Sequence, residues 1–141
     1  MRVFLDTNVL VSAFATRGLC ADVVRYVLAE HDMLTGEVNI VEVRRVLRDR
    51  IKVPVPVISS LEQLLRDQVV VPKPAEPHSL EIKDPDDRWV LASAVEGKAD
   101  VLVTGDSDLL EVASRAPIRI LNPRGFWEMT RAKPGKKKGA T

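Results

Sequence analysis

The amino-acid sequence predicts an α/β fold, a three-layer α/β/α sandwich around a central and mostly parallel sheet. Predicted strands alternate with predicted helices, and each strand is a continuous apolar run rather than an alternating pattern. Such strands are typical of parallel sheets that helices cover on both faces. The 141 residues suffice for one compact domain. We assign this domain to residues 1–130, followed by a basic, flexible tail at residues 131–141.

The elements predicted in the first half of the chain are three strands, three helices and a turn or short helix. Strands are predicted at residues 3–5, 33–35 and 69–71. Helices are predicted at residues 21–30 and 40–50, where apolar residues recur at helical spacing. Another helix is expected to start at Ser59, because Ser59 and Glu62 have the spacing of a capping box. The apolar residues 9–13 predict a turn or a short helix.

A proline-rich connector at residues 73–79 leads into the second half. The next helix is expected to begin at Asp84 or Asp86 and to end at Gly97. Strands are predicted at residues 101–103 and 118–121. Ser107 is expected to cap a short helix between them, and residues 122–129 are expected to form the last helix.

Composition and charge restrict the classes of protein. No apolar run approaches the roughly 20 residues that cross a bilayer, and the first residues do not have the pattern of a signal peptide. Cys20 is the only cysteine, which excludes an internal disulfide. We therefore expect a cytoplasmic protein without a membrane partner.

The charges are unevenly distributed, although the net charge is only +1. Acidic residues gather in short motifs, and a basic stretch contains Arg44, Arg45, Arg48, Arg50 and Lys52. A charge run alone is usually a solvated face. Together, these patterns favour metal in the acidic pockets and phosphate around them.

Four carboxylates are the strongest candidates for chemistry. Asp6 and Asp106 each follow a predicted strand, so in a parallel sheet both would project into the crevice beyond the carboxyl ends. Asp87 lies near a predicted helix start, and Glu42 lies in the otherwise apolar stretch 38–43. Taken alone, each also fits an ordinary structural role, as a cap, a turn residue or an exposed helix glutamate.

A convergent set of carboxylates is suited to hydrolysis of a phosphodiester. Mg²⁺ and Mn²⁺ prefer oxygen ligands. Such ions lower the pKa of bound water and neutralise charge that builds on the phosphate. Without a cation, burying several like charges would raise their pKa values and cost stability. The acids are therefore a functional-site candidate whose chemistry suits a divalent-metal-dependent nuclease.

Three segments resemble the PIN-domain family, and most closely its branch described as toxins of toxin–antitoxin pairs (VapC-like). They are VFLDTNVL at 3–10, DPDDRWVLASA at 84–94 and ADVLVTGDSDLL at 99–110. The resemblance runs from residue 1 to about 127 in the family's order and spacing. It implies a PIN-like fold and an endoribonuclease that uses Mg²⁺ (or Mn²⁺). It also implies an RNA substrate, a cognate antitoxin as partner, and a homodimer.

The resemblance further implies roles for individual residues. The residues that match the family's catalytic acids are Asp6, Glu42, Asp87 and Asp106. Those that match metal ligands are Asp6, Asp87, Asp106 and Asp108. The matching polar residues near the metal are Thr7, Asn8, Ser12 and Thr104. The segment GEVN at 36–39 replaces the family's serine-led opening of the glutamate helix, so Glu37 is an alternative to Glu42. Asp86 is the alternative to Asp87.

Two other functions stay open at this point. One is a catalytically inactive module of the same fold that binds RNA or a protein. The other is a haloacid-dehalogenase-like phosphatase, since Asp6 after a strand and the Gly105-Asp106 pair resemble its signatures. That chemistry uses a second acid two residues after the nucleophile, where this chain has Asn8.

Overall fold

The computed structural model describes residues 1–131, which form a parallel sheet covered by helices. The strands are β1 (Arg2–Leu5), β2 (Asp32–Gly36), β3 (Val69–Val71), β4 (Val101–Val103) and β5 (Arg119–Leu121). Their order is β3-β2-β1-β4-β5, and every neighbouring pair is parallel. The predicted α/β/α sandwich is confirmed.

Helices occupy both faces of this sheet. They are α1 (Thr7–Ala15), α2 (Leu19–Glu30), α3 (Glu37–Asp49), α4 (Val55–Arg66), α5 (Asp87–Glu96), α6 (Ser107–Glu111) and α7 (Pro123–Arg131). Within residues 1–131, no helix has both the length and the apolar composition needed to cross a bilayer. Arg131 of the predicted tail ends α7, and the rest of that tail lies outside the described residues.

Strand β1 shows why the strands are continuously apolar. Val3 and Leu5 lie in one core, together with residues of α1 to α4 and α7. Phe4 points to the opposite face and lies in a second core with Leu91 of α5 and Leu109 of α6. The side chains of Val3, Phe4 and Leu5 are fully buried. Because successive residues of a strand face opposite sides, both must be apolar when both faces are covered.

Two predicted helix starts are wrong. Helix α4 begins at Val55 rather than Ser59, and Pro56 occupies its first turn. Proline has no backbone N–H and a fixed φ that suits the first turn, so it determines the start more strongly than the later capping-box pattern. Helix α6 is capped by Asp106 rather than by Ser107, since the Asp106 carboxylate accepts from the backbone N–H of Asp108 at 2.8 Å.

The strand order positions the functional end of the sheet. From the central β1 the chain builds β2 and β3 on one side, and later β4 and β5 on the other. The segments that follow β1 and β4 therefore leave from adjacent strands and diverge, which opens a crevice at their carboxyl ends. The N–H of Asp6 donates to the carbonyl of Val103 in β4 at 3.0 Å, so Asp6 lies directly at the carboxyl end of the sheet.

Gly97, which ends α5, gives a test of this packing. A Cβ atom added there would lie 2.6 Å from Val71 Cγ2 and 3.0 Å from Leu34 Cδ2. The φ of −74° suits any residue, so the conflict is purely steric. We expect Gly97→Ala to lower the free energy of unfolding by about 1–3 kcal/mol in urea denaturation. Val71→Ala removes the contacted methyls, so the double variant should lose less than the sum of the two single losses; strict additivity would contradict this packing.

Candidate metal centre

A pocket of about 360 Å³ lies at the carboxyl ends of β1 and β4. Residues from α1, from α3, from the start of α5 and from the turn after β4 line it. Its carboxylates are Asp6, Glu42, Asp84, Asp86, Asp87 and Asp106. Its other polar residues include Thr7, Asn8, Ser12, Arg45 and Arg50. The structure thus brings the four strongest sequence candidates together around one cavity.

Asp6 is held by donors from three parts of the chain. Its Oδ1 accepts from the Thr7 N–H at 2.8 Å and from Asn39 Nδ2 at 2.9 Å. Its Oδ2 accepts from the Thr104 hydroxyl at 2.7 Å. The Asp6 side chain is almost fully buried, so these bonds replace water around the carboxylate and fix its direction.

Asn39 is the member of this network that sequence reasoning missed. Its Nδ2 also donates to Thr7 Oγ1 at 3.0 Å, and its side chain is buried. A Cβ atom at Gly36 would lie only 2.9 Å from Asn39 Oδ1. The GEVN opening of α3 therefore combines a small residue with an amide that reaches Asp6. The available signal was spacing, because Asn39 precedes Glu42 by three residues and so shares its side of the helix.

The turn after β4 sets the position of Asp106. Thr104 Oγ1 accepts from the Asp106 N–H at 3.0 Å, while its own hydroxyl donates to Asp6. Asn8 Oδ1 accepts from the Gly105 N–H at 3.0 Å. The Asn8 side chain therefore ties the start of α1 to this turn rather than binding the Asp6 carboxylate.

Three carboxylates have the arrangement of a cation site. Oxygen atoms of Asp87, Asp106 and Asp108 lie within 4.8 Å of one another. Asp87 Oδ2 is buried and has no hydrogen-bond partner. An unpaired buried carboxylate oxygen is costly, and a hard divalent cation is the ligand that such an all-oxygen set suits. The residues therefore fit Mg²⁺ or Mn²⁺.

Burial and mutual repulsion raise two pKa values in the pocket. Burial is the largest cause for Asp87, followed by the negative charge of Asp106 and a side-chain hydrogen bond with Asp106, and the pKa rises to about 8. Burial also raises the pKa of Asp6 to about 6, against the opposing hydrogen bonds from Thr104 and Thr7. Nearby positive charge would lower both pKa values.

The two alternative residues differ in their placement. Asp86 lines the pocket beside Asp87, and its N–H donates to Asp84 Oδ1 at 3.0 Å. Glu37 does not line this pocket; its oxygens accept from Arg66 at 2.7 and 2.9 Å. Glu42 does line it and lies 3.6 Å from an Arg45 nitrogen. The geometry therefore favours Glu42 over Glu37.

Comparison with known proteins gives a family and a fold. A family model described as PIN domain matches residues 2–108. No curated protein matches the chain. Three solved structures share its architecture at low sequence identity, and at such identities the likeness concerns the fold alone.

The first is described as the structure of FitAB bound to an IR36 DNA fragment, with a TM-score of 0.64, 17% identity, and 86% of this chain and 94% of that chain covered. The second is VapBC2 from Rickettsia felis bound to a DNA fragment from their promoter, with a TM-score of 0.62, 16% identity and coverages of 86% and 98%. The third is FitAcB from Neisseria gonorrhoeae, with a TM-score of 0.57, 16% identity and the same coverages.

The raised pKa of Asp87 predicts a pH-dependent stability. The pKa of Asp87 rises from 3.8 to about 8 on folding, so binding of a proton to Asp87 stabilises the folded state. This stabilisation is complete below pH 3.8 and is lost as the pH rises through about 8. We therefore expect Asp87→Asn to be more stable than the metal-free wild type at alkaline pH. The advantage should shrink as pH falls towards 3.8. Thermal unfolding in chelator across this range measures it.

The matched control is Asp67→Asn, which changes an exposed acid at the end of α4. It should follow the wild-type curve at every pH. An Asp87→Asn curve that runs parallel to wild type from acid to alkaline pH would contradict the electrostatic account.

Proposed function

This chain belongs to the PIN-domain family, and from that premise we propose that it is a divalent-metal-dependent ribonuclease. The observation that carries the proposal is the convergence of Asp87, Asp106 and Asp108 beside the buried Asp6. The orphaned oxygen of Asp87 supports a bound cation rather than a purely structural cluster.

The metal ligands in this proposal are Asp87, Asp106 and Asp108, with Asp6 adjoining them. A divalent cation held there would activate a water and neutralise charge on a phosphodiester. Asn39 and Thr104 act as positioning residues, because they hydrogen-bond to the Asp6 carboxylate and neither lines the acidic pocket. Glu42 adds a further carboxylate at the pocket wall.

Two arginines line the same pocket as the acids. Arg45 lies 3.6 Å from Glu42, and Arg50 follows the last residue of α3. Guanidinium groups bind phosphate through paired N–H donors. We assign them to the phosphates that flank the cleaved bond, so that the anionic backbone crosses a pocket with an acidic side and a basic side.

The biological setting is part of the same proposal. The sequence resemblance to toxin branches of the family supports a toxin that a cognate antitoxin inhibits in the cytoplasm, with a homodimer as the assembled form. Two of the similar structures are described as bound to DNA fragments, so DNA must be compared with RNA as a substrate. The phosphatase alternative has no support, because Asn8 stands where that chemistry needs a second acid, and its side chain accepts from the Gly105 N–H instead.

Cleavage of RNA by an aspartate variant tests the proposal. Asp106→Asn removes one charged ligand but keeps the shape of the side chain. We expect cleavage of single-stranded RNA in Mg²⁺ to fall by about a hundredfold or more, with an unchanged circular dichroism spectrum. A chelator should abolish cleavage by the wild type, and Mg²⁺ or Mn²⁺ should restore it.

Asp67→Asn again provides the control, since Asp67 lies outside the pocket and should keep wild-type activity. Full activity of Asp106→Asn, or of the chelated wild type, would refute a metal nuclease. Binding of RNA and Mg²⁺ by a wild type that never cleaves would instead identify the inactive module.

A further inference from the structure

A second groove continues directly from the metal centre. It has a volume of about 470 Å³. Five residues line both cavities: Thr7, Glu42, Arg45, Asp86 and Val90. The second groove adds Lys73 and Trp89, together with the apolar Val38 and Val41. A chain of nucleotides that crosses the carboxylates would therefore enter this groove next.

Trp89 gives the groove an aromatic wall. It lies in the first turn of α5 and is half-buried. It follows Asp86 by three residues, so the two side chains share one side of the helix. Lys73 Nζ lies 4.9 Å from the centroid of the Trp89 ring. The ring thus attracts a cation into the groove close to the acidic pocket.

The charges of the groove leave Lys73 available to an anion. Glu37 is paired with Arg66, and Glu42 lies beside Arg45. Among the ion pairs of residues 1–131, none includes Lys73. Val41 is 57% exposed, so apolar surface also lies open there. An aromatic ring, apolar side chains and an ammonium outside any ion pair match the parts of a nucleotide, whose base has a flat π-face and whose phosphate is anionic.

We propose that this groove is a nucleotide subsite: a base of single-stranded RNA displaces Lys73 from the Trp89 ring and stacks there, and the displaced Lys73 ammonium binds its phosphate. The inference rests on the proposed nuclease function and extends it by naming the residues that bind a nucleotide next to the metal centre. A single strand is required, because a base paired within a duplex cannot reach a protein ring. A second copy of the chain fits less well, because interface cores are depleted in charged residues and this groove includes Lys73, Glu42 and Asp86.

Trp127 supplies a matched control within the same chain. A cation also lies over the Trp127 ring, since the guanidinium carbon of Arg131 is 5.5 Å from the ring centroid. It packs on Tyr26 at 5.9 Å between centroids and lines neither cavity. The two tryptophans are the only ones in the sequence, so each can be observed alone by fluorescence once the other is replaced by phenylalanine.

The test measures binding of a short, mixed-sequence single-stranded oligoribonucleotide to the full chain. Asp106→Asn is included to block cleavage. With Trp127→Phe added, the remaining Trp89 should be quenched by the RNA. With Trp89→Phe added instead, the remaining Trp127 should not respond. Trp89→Ala should weaken the affinity by about fivefold or more, and Lys73→Ala should reduce the salt dependence of binding by about one counterion.

Three results would overturn the subsite. They are an unquenched Trp89 at saturating RNA, equal effects of Trp89→Ala and Trp127→Ala on affinity, and equal quenching by a blunt RNA duplex. If a second copy fills the groove, Trp89→Ala would change the sedimentation coefficient and leave RNA affinity unchanged, which also overturns it. Trp89→Phe keeps an aromatic ring and should retain most of the affinity, which separates stacking from misfolding.

Cleavage is measured in parallel to separate this inference from the proposed function. In the otherwise wild-type chain, Trp89→Ala should raise KM more than it lowers kcat, because stacking is lost in both ground and transition states. Cleavage by Trp89→Ala with an unchanged KM would contradict the subsite and leave the proposed nuclease function intact. Quenching of Trp89 by RNA, without any cleavage by the wild type, would contradict the proposed nuclease function and support an RNA-binding groove.

Discussion

The repulsion among buried carboxylates is the constraint around which this molecule is organised. Asp6, Asp87 and Asp106 line one pocket where β1 and β4 end. The charge of Asp106 raises the pKa of both Asp6 and Asp87, and the charge of Asp6 raises the pKa of Asp87 further. A fold tolerates such a cluster only if protons, donors or cations compensate it. The parallel sheet brings Asp6 and Asp106 together, because the adjacent strands β1 and β4 end at the same edge. Asp87 joins them from the first turn of α5.

Hydrogen bonds stabilise the Asp6 carboxylate but not the buried Asp87 oxygen, and this difference determines the chemistry of the site. Asp6 is bonded by Thr7, Asn39 and Thr104, so the protein itself stabilises and orients that carboxylate. Asp87 has an oxygen without any such donor. Asp6 is therefore held in one position in the pocket, whereas Asp87 still needs a ligand from solution. Such an arrangement selects a cation and places it against a rigid frame.

Sequence reasoning succeeds here where local pattern determines structure. Val3 to Leu5 predicts a buried strand, and the position of Asp6 after it follows from the parallel fold. It fails where a contact spans the chain: Asn39 reaches Asp6 across 33 residues, and Asn8 reaches Gly105 across 97. A helix propensity or a capping motif contains no information on such partners. The start of α4 has a local cause, since Pro56 in its first turn determines the start more strongly than the spacing of Ser59 and Glu62.

The most direct test of the account is the location of a divalent cation in crystals soaked with Mn²⁺ near pH 8. Anomalous scattering identifies manganese without reference to activity. The account predicts a peak coordinated by oxygens of Asp87, Asp106 and Asp108, beside Asp6. Crystals that hold Mn²⁺ elsewhere, or that leave these carboxylates without a peak at saturating Mn²⁺, would contradict it.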